Sequence, residues 1–173
     1  MTTEPPQPPV EPPAEPPTEP PAQPPAQQPS GTPANLADWG TRAVGLLIDW
    51  LPIFVLEAIF FRTGTVLFGL AGAASLLYWL YMGHLDGVSG QTPGKAIMGT
   101  RVVNTQGELI GSGSGMVRKI AHIVDSIICF LGWFLPIVDS SRQTIADKIM
   151  TTYVVAGVEK KSFAINLWAP PKQ

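Results

Sequence analysis

The sequence is short of cysteine, histidine and charge, and each scarcity excludes a class of site. One cysteine excludes a disulfide framework and a cysteine-based zinc or iron–sulfur centre within the chain. Two histidines argue against a four-ligand metal centre, so we expect neither metal nor cofactor. Charged residues make up only 14% of the 173 residues, against 45% hydrophobic. No nucleophile–base–acid set is recognisable, and we predict that the protein is not an enzyme.

Aromatic residues, Leu, Ile and Phe are all absent from residues 1–33, which hold 14 of the 19 prolines. From Pro8 to Pro25 a Pro-Pro pair recurs every four residues. Because proline fixes φ and removes the amide donor, we predict a disordered proline-rich tail over residues 1–35 with polyproline II character. A solvated spacer is the favoured interpretation. The alternative is a ligand for a partner with an aromatic groove that binds polyproline II.

The four acidic residues of the tail account for the acidic balance of the whole chain. Without them, 11 Lys and Arg stand against 9 Asp and Glu. The chain after the tail is therefore nearly neutral. It lacks the excess of Lys and Arg that is typical of nucleic-acid-binding proteins, and we expect no nucleic-acid partner.

Three apolar segments approach the roughly 20 residues that cross a bilayer: 43–61, 65–83 and 120–138. They predict an all-α integral membrane protein whose principal partner is the lipid bilayer. Only residues 62–64 separate the first two segments, which predicts a transmembrane helical hairpin. Gly69 and Ala73 of the second segment have the small-xxx-small spacing of close helix contacts.

The third apolar segment is either bent and re-entrant or a plain third span. If the segment crosses the membrane, five Lys and Arg residues lie on one side and six on the other. If it returns to the side from which it entered, ten lie on that side and only Arg62 on the opposite side. The positive-inside rule favours the bent arrangement, with both termini and the proline tail cytoplasmic. Gly132 and Pro136 are the expected places for the break.

The connection between the second and third segments contains two short patterns. Arg101–Asn104 and Glu108–Ile110 flank Thr-Gln-Gly, which predicts a small β-hairpin in this loop. Gly90–Lys95 reads GQTPGK, but three residues separate its glycines and Ala96 follows the lysine, so it is not a phosphate loop. We interpret it as a turn that brings Lys95 to the lipid headgroups.

Charged residues within the apolar segments are functional candidates, because burying them in a membrane is costly. Arg42 and Asp49 are seven residues apart, and Arg118 and Asp125 repeat that spacing. Both aspartates would then lie about 10 Å inside their arginines, at 1.5 Å per residue. At one depth they could share a proton or a cation. The alternative is that they only hydrogen-bond neighbouring helices.

Two further residues add to this hypothesis. His122 precedes Asp125 by three positions and could relay a proton. Pro52 cannot donate to the carbonyl of Ile48, which leaves a free oxygen near Asp49.

The order of these motifs resembles the RDD family of bacterial membrane proteins over about residues 36–156. The quoted features are Arg42, Asp49, GQTPGK, RVVN, Asp125, and DSSRQTIADK (Asp139–Lys148) before TTYVV. The resemblance implies a multi-pass protein of the bacterial inner membrane, with a membrane domain over 36–156 and a C-terminal interfacial tail over 157–173.

The family is named for an arginine and two aspartates. Arg42 and Asp49 match the first two; Asp125 and Asp147 both fit the third, and the Arg142 context favours Asp147. The histidine usual before that aspartate is Ala146 here. The resemblance implies transport of an unidentified ligand.

Two functions follow from the sequence. One is transport of a small ion or solute through intramembrane aspartates, by a homo-oligomer because two or three spans cannot enclose a path alone. The alternative is a non-transporting membrane scaffold whose cytoplasmic proline tail recruits a partner.

Overall fold

The computed structural model describes Met1 and residues 31–62 and 64–170. Of the predicted disordered tail, residues 2–30 lie outside the described residues. In chain order the elements are α1 Trp39–Phe60, α2 Thr65–Val88, α3 Pro93–Met98, β1 Thr100–Val103, α4 Ser112–Ile127, α5 Leu131–Val138, α6 Ile145–Ile149, β2 Tyr153–Ala156 and a 3₁₀ helix Ile165–Trp168.

Helices α1 and α2 form the predicted apolar hairpin, and both are long and apolar enough to cross a membrane. Asp38 caps α1 by accepting a hydrogen bond from Thr41 N at 2.9 Å, and α2 begins after Gly64, whose φ is 102°. Large apolar side chains cover the outward faces; Leu47 is 64% exposed and Leu77 68%. Exposed apolar faces of this kind are suited to contact with lipid and not with water.

The third apolar segment is two helices, α4 and α5, that meet at an angle of 95°. The break falls at Cys129 and Phe130, whose φ angles are 49° and 61°, so the expectation of a break at Gly132 or Pro136 was wrong. Gly132 instead allows α5 to approach α4, because a Cβ there would overlap the Asp125 side chain.

Both ends of this bent pair lie at the same end of the hairpin. Before α4, Gly111 N donates to Gly87 O near the end of α2, at 3.0 Å. After α5, the Arg142 carbonyl accepts a hydrogen bond from Arg42 near the start of α1. This is the geometry expected of the bent alternative.

The predicted β-hairpin was wrong in its second strand. Strand β1 pairs with β2 in antiparallel register, Thr100 opposite Ala156 and Val103 opposite Tyr153. Residues 108–110 form no strand: Glu108 O accepts from Asn104 N at 2.9 Å, and Ile110 packs against the cluster that contains Val102 before Gly111 leads into α4. The intervening turn does form, with Gly107 N donating to Asn104 O at 3.1 Å.

The sheet also receives the chain that precedes α1. Leu36 forms an isolated antiparallel bridge with Val155, and Ala37 N donates to Val154 O at 2.8 Å. Ala37, Val102 and Val154 form a buried apolar core beneath the hairpin.

Glycine lets the helices of the third segment and the hairpin meet closely. A Cβ on Gly87 would overlap the Gly111 carbonyl, and one on Gly115 would overlap the Gly83 carbonyl. Gly69 makes no close helix contact within the described part of the chain, because a Cβ there would have no neighbour within 4 Å. Within the chain, the small residues that permit close helix contact therefore lie between α2 and α4 and not at Gly69.

We expect Gly87→Ala to destabilise the fold by about 1–3 kcal/mol, because its Cβ overpacks against the Gly111 backbone. The matched control is Gly72→Ala in the same helix, where a Cβ would have no neighbour within 4 Å. Thermal unfolding in detergent should lower the melting temperature of the first variant only. Equal melting temperatures would contradict the close packing of α2 on α4.

Candidate functional site

A buried ionic network lies where α1 begins and α2 ends, centred on Asp147. Asp147 is fully buried, and its Oδ1 accepts hydrogen bonds from Arg118 Nε at 2.9 Å and from Arg118 Nη2. Its Oδ2 accepts a hydrogen bond from Arg42 Nη2. A single carboxylate on α6 therefore joins an arginine of α1 to an arginine of α4. Arg42 and Asp147, an arginine and an aspartate that the resemblance implies, are in direct contact.

The local sequence fixes the position of Asp147. Thr144 caps α6 by accepting from Asp147 N at 3.1 Å, while the Asp147 side chain accepts from Thr144 N at 3.2 Å. This reciprocal capping box begins a five-residue helix, and it aims the carboxylate at the two arginines.

Arg118 also reaches a second buried carboxylate, Asp86 of α2. Arg118 Nη1 lies 3.2 Å from Asp86 Oδ2, and Lys95 Nζ lies 2.8 and 3.0 Å from the two Asp86 oxygens. Lys95 therefore points inward to Asp86 rather than outward to headgroups, contrary to the interpretation of the sequence.

Asp49 receives its hydrogen bonds from the GQTPGK segment. Thr92 Oγ1 donates to Oδ2, and Gly94 N donates to Oδ1 at 2.7 Å. Gly94 is required for this approach, because a Cβ there would overlap the carbonyl of Gly45 on α1. The motif is the capped start of α3, and its backbone binds a carboxylate of the protein itself.

Asp125 and His122 form a separate pair. His122 Nδ1 lies 2.7 Å from Asp125 Oδ2, and Asp125 also accepts from Ile145 N at 2.9 Å and Ala146 N at 3.3 Å. Asp49 and Asp125 therefore have different partners, and no hydrogen bond joins them among the residues that the structure describes. The hypothesis of a proton or cation held between them has no support in this geometry.

The two remaining candidates, Pro52 and Arg142, lie outside the centre of this network. Pro52 is exposed on α1. Arg142 donates to Leu36 O at 3.1 Å, and its own carbonyl accepts from Arg42. Arg142 therefore helps to position Arg42 through its backbone.

A cavity of about 110 Å³ opens among these groups. Six charged side chains line it: Arg42, Asp49, Asp86, Lys95, Arg118 and Lys119. Lys119 is only 6% exposed, yet among the described residues none accepts a hydrogen bond from its ammonium or pairs with it within 4 Å. Asp49, 4% exposed, likewise has no cationic partner within 4 Å in the described part of the chain.

Asp86 and Lys119 were missed by the sequence reasoning. Asp86 follows residue 83, where the second apolar segment was predicted to end, but α2 continues to Val88 and carries it into the network. The available signal was the Gly83-xxx-Gly87 spacing, which extends the helix contact past that boundary. Lys119 gave no signal beyond its position beside Arg118.

Asp147 should dominate the stability of this network. Burial alone would raise the pKa of Asp147, but the charges of Arg118 and Arg42 outweigh it and hold the pKa well below its ordinary value of 3.8. A depressed pKa stabilises the fold above about pH 4, and this stabilisation is lost as the pH falls through the folded-state value.

We expect Asp147→Asn to cost about 3–5 kcal/mol at neutral pH, because two buried arginines lose their counter-charge. Asp139→Asn, which removes the pair with the 44% exposed Lys148, should cost less than about 1 kcal/mol. Unfolding of the detergent-solubilised variants would measure both values. The deficit of Asp147→Asn should shrink as the pH falls below 4, and a deficit independent of pH would contradict the ionised state.

The comparisons with known proteins agree with this architecture. A sequence model of the RDD family matches residues 36–151. The chain is 34% identical over 149 residues to the proline-rich antigen homolog of Mycobacterium tuberculosis, covering 68% of this chain and 62% of that relative. It is 46% identical over 81 residues to the proline-rich antigen of Mycobacterium leprae, covering 46% and 32% of the two chains. No solved structure matches.

A match to the uncharacterized protein YxaI of Bacillus subtilis is 40% identical over 77 residues, 44% of this chain and 50% of the relative. The chain thus spans less than two thirds of the length of these curated relatives. The family match takes in the helical hairpin, the bent pair and α6, and it confirms the resemblance drawn from the motifs. The chain belongs to the RDD family, and its long apolar helices are those of a membrane protein.

Proposed function

We propose that this chain is a multi-pass protein of the bacterial inner membrane that transports a small ion or solute. The cavity is its binding site, at the cytoplasmic end of the hairpin. The observation that carries the proposal is the pair of buried charges, Asp49 and Lys119, that line the cavity with no oppositely charged atom within 4 Å among the described residues.

The distribution of positive charge supports the orientation. Among the described residues, Arg62 lies at the hairpin turn, and the other Lys and Arg belong to elements at the opposite end. The positive-inside rule makes that end cytoplasmic, with both termini on the same side. The bend between α4 and α5 then makes the third segment re-entrant.

The unpartnered charges support transport over a purely structural role. Buried ionised groups are normally paired, because the desolvation penalty is several kcal/mol per ion. Polar contacts that only hold helices together would account for Asp147 and Asp86, which are paired. They do not account for Lys119, whose ammonium faces an open cavity.

A line of polar groups continues from the cavity along the contact between α1 and α2. Tyr78 Oη donates to the Asp49 carbonyl at 3.1 Å, and Ser75 Oγ donates to Glu57 Oε1 at 2.8 Å. Glu57 is eight residues beyond Asp49 on the same helix face, about 12 Å further along. These groups offer a proton a path towards the other side of the membrane, and we propose that a second copy of the chain encloses it.

We expect Asp49→Asn to reduce flux about tenfold or more, because the neutral side chain can neither take up nor release a proton. The measurement is decay of an imposed pH gradient in inverted vesicles after addition of sodium chloride, potassium chloride, calcium chloride or potassium phosphate. Glu57→Gln should also lower the rate, whereas Asp139→Asn, at equal abundance, should leave it unchanged.

Wild-type vesicles that match empty vesicles with every salt would contradict transport. The scaffold function would then be the surviving candidate, and deletion of residues 2–30 should remove partner recruitment while Asp49→Asn leaves it intact.

A further inference from the structure

We propose that the cavity binds a phosphate-type oxyanion, either free or as the headgroup of a phospholipid, and that the Lys119 ammonium is its principal contact. The inference deepens the proposed function by naming the ligand class. It rests on the proposed function only for the claim that the bound ion is also moved.

The cavity holds more hydrogen-bond donors than the described residues use. An ammonium carries three N–H groups, and none of those on Lys119 has an acceptor among the described residues. Arg42 uses two of its five N–H groups, on Asp147 and on the Arg142 carbonyl. Such a surplus of donors favours a ligand that only accepts hydrogen bonds, and an oxyanion is one.

The carboxylates of Asp86 and Asp147 are already paired with cationic side chains. Both oxygens of Asp86 accept from Lys95, and one also accepts from Arg118. Both oxygens of Asp147 accept from arginine side chains. Asp49 has no cationic partner within 4 Å in the described part of the chain, but its two oxygens already accept from Thr92 Oγ1 and Gly94 N. A cation would therefore find only one lining carboxylate outside an ion pair, whereas an anion would meet the Lys119 ammonium without displacing a partner.

The charged side chains that line the cavity carry a positive net charge. Four cationic side chains and two carboxylates line the cavity. Asp147 lies behind the arginines and neutralises one further charge, which leaves the walls positive. Asp125 faces the amides of α6 and His122, and it is not part of the lining.

Size and access fit the same ligand. About 110 Å³ holds several water molecules or one tetrahedral oxyanion. The side chains of Arg42 and Lys95 are 13% and 17% exposed, whereas that of Arg118 is 3% exposed. The cavity therefore opens beside Arg42 and Lys95. In the proposed orientation this opening is on the cytoplasmic side of the membrane.

The test measures binding by the purified full-length protein and does not depend on transport. Inorganic phosphate would be titrated against wild type, Lys119→Met and the control Lys148→Met, with calorimetry and ligand-induced thermal stabilisation as readouts. Lys148 is 44% exposed in a surface pair with Asp139, so its loss should not affect the cavity. Retention of phosphatidylglycerol, measured by native mass spectrometry of the same proteins, separates the lipid source from the free anion.

We expect saturable binding of phosphate or retention of phosphatidylglycerol in wild type and Lys148→Met, weakened about tenfold or more in Lys119→Met. Lys119→Met should fold, since it removes a buried charge that has no direct partner. Should it fail to fold, competition on wild type alone decides: stabilisation by sodium phosphate but not by sodium chloride supports the proposal.

Equal binding by wild type and Lys119→Met, or stabilisation of wild type by sodium or potassium ions and not by phosphate or the lipid, would overturn the proposal. Binding of neither phosphate nor phosphatidylglycerol would overturn it as well. Oxyanion binding by a protein without flux would uphold this inference while contradicting transport, and cation flux without oxyanion binding would do the reverse.

Discussion

The shared carboxylate of Asp147 is the interaction on which the rest of this arrangement depends. It binds Arg42 of α1 and Arg118 of α4, and Arg118 in turn binds Asp86 of α2. One acidic side chain on a five-residue helix therefore ties three long helices together at one end. Buried ion pairs are weak evidence for net stability, because desolvation offsets much of their attraction. They do penalise any other arrangement of these helices, since each alternative leaves a buried charge unpaired.

The network forms only because the backbones can approach closely. Gly87 and Gly115 bring α2 and α4 together, and Gly94 lies against Gly45 so that its amide reaches Asp49. In a membrane the hydrophobic effect does not press helices together, so close packing and polar contacts must do so. The glycine contacts therefore make the ionic contacts possible, and both hold the helices together.

The features that could be predicted from the sequence are those that depend on long apolar runs and on the positions of charged residues in the loops. The hairpin and the bent third segment follow from those two signals, and Arg42 and Asp147 from the order of motifs. Sequence reasoning failed where pairing is decided between distant segments. Strand β1 pairs with β2, some fifty residues away, and no local pattern marks that choice over residues 108–110. Asp86 was missed because hydropathy ended α2 before the helix itself ends.

The charged residues that line the cavity differ in their partners. Arg118 lies between two carboxylates, and its ion pairs with Asp86 and Asp147 hold it in place. Lys119, its neighbour on α4, lines the cavity, and no carboxylate of the described residues lies within 4 Å of its ammonium. A fold that needed only helix contacts would gain by replacing such a lysine with an apolar residue. Its presence in a cavity lined by four cationic and two acidic side chains supports the proposal that the cavity binds a ligand.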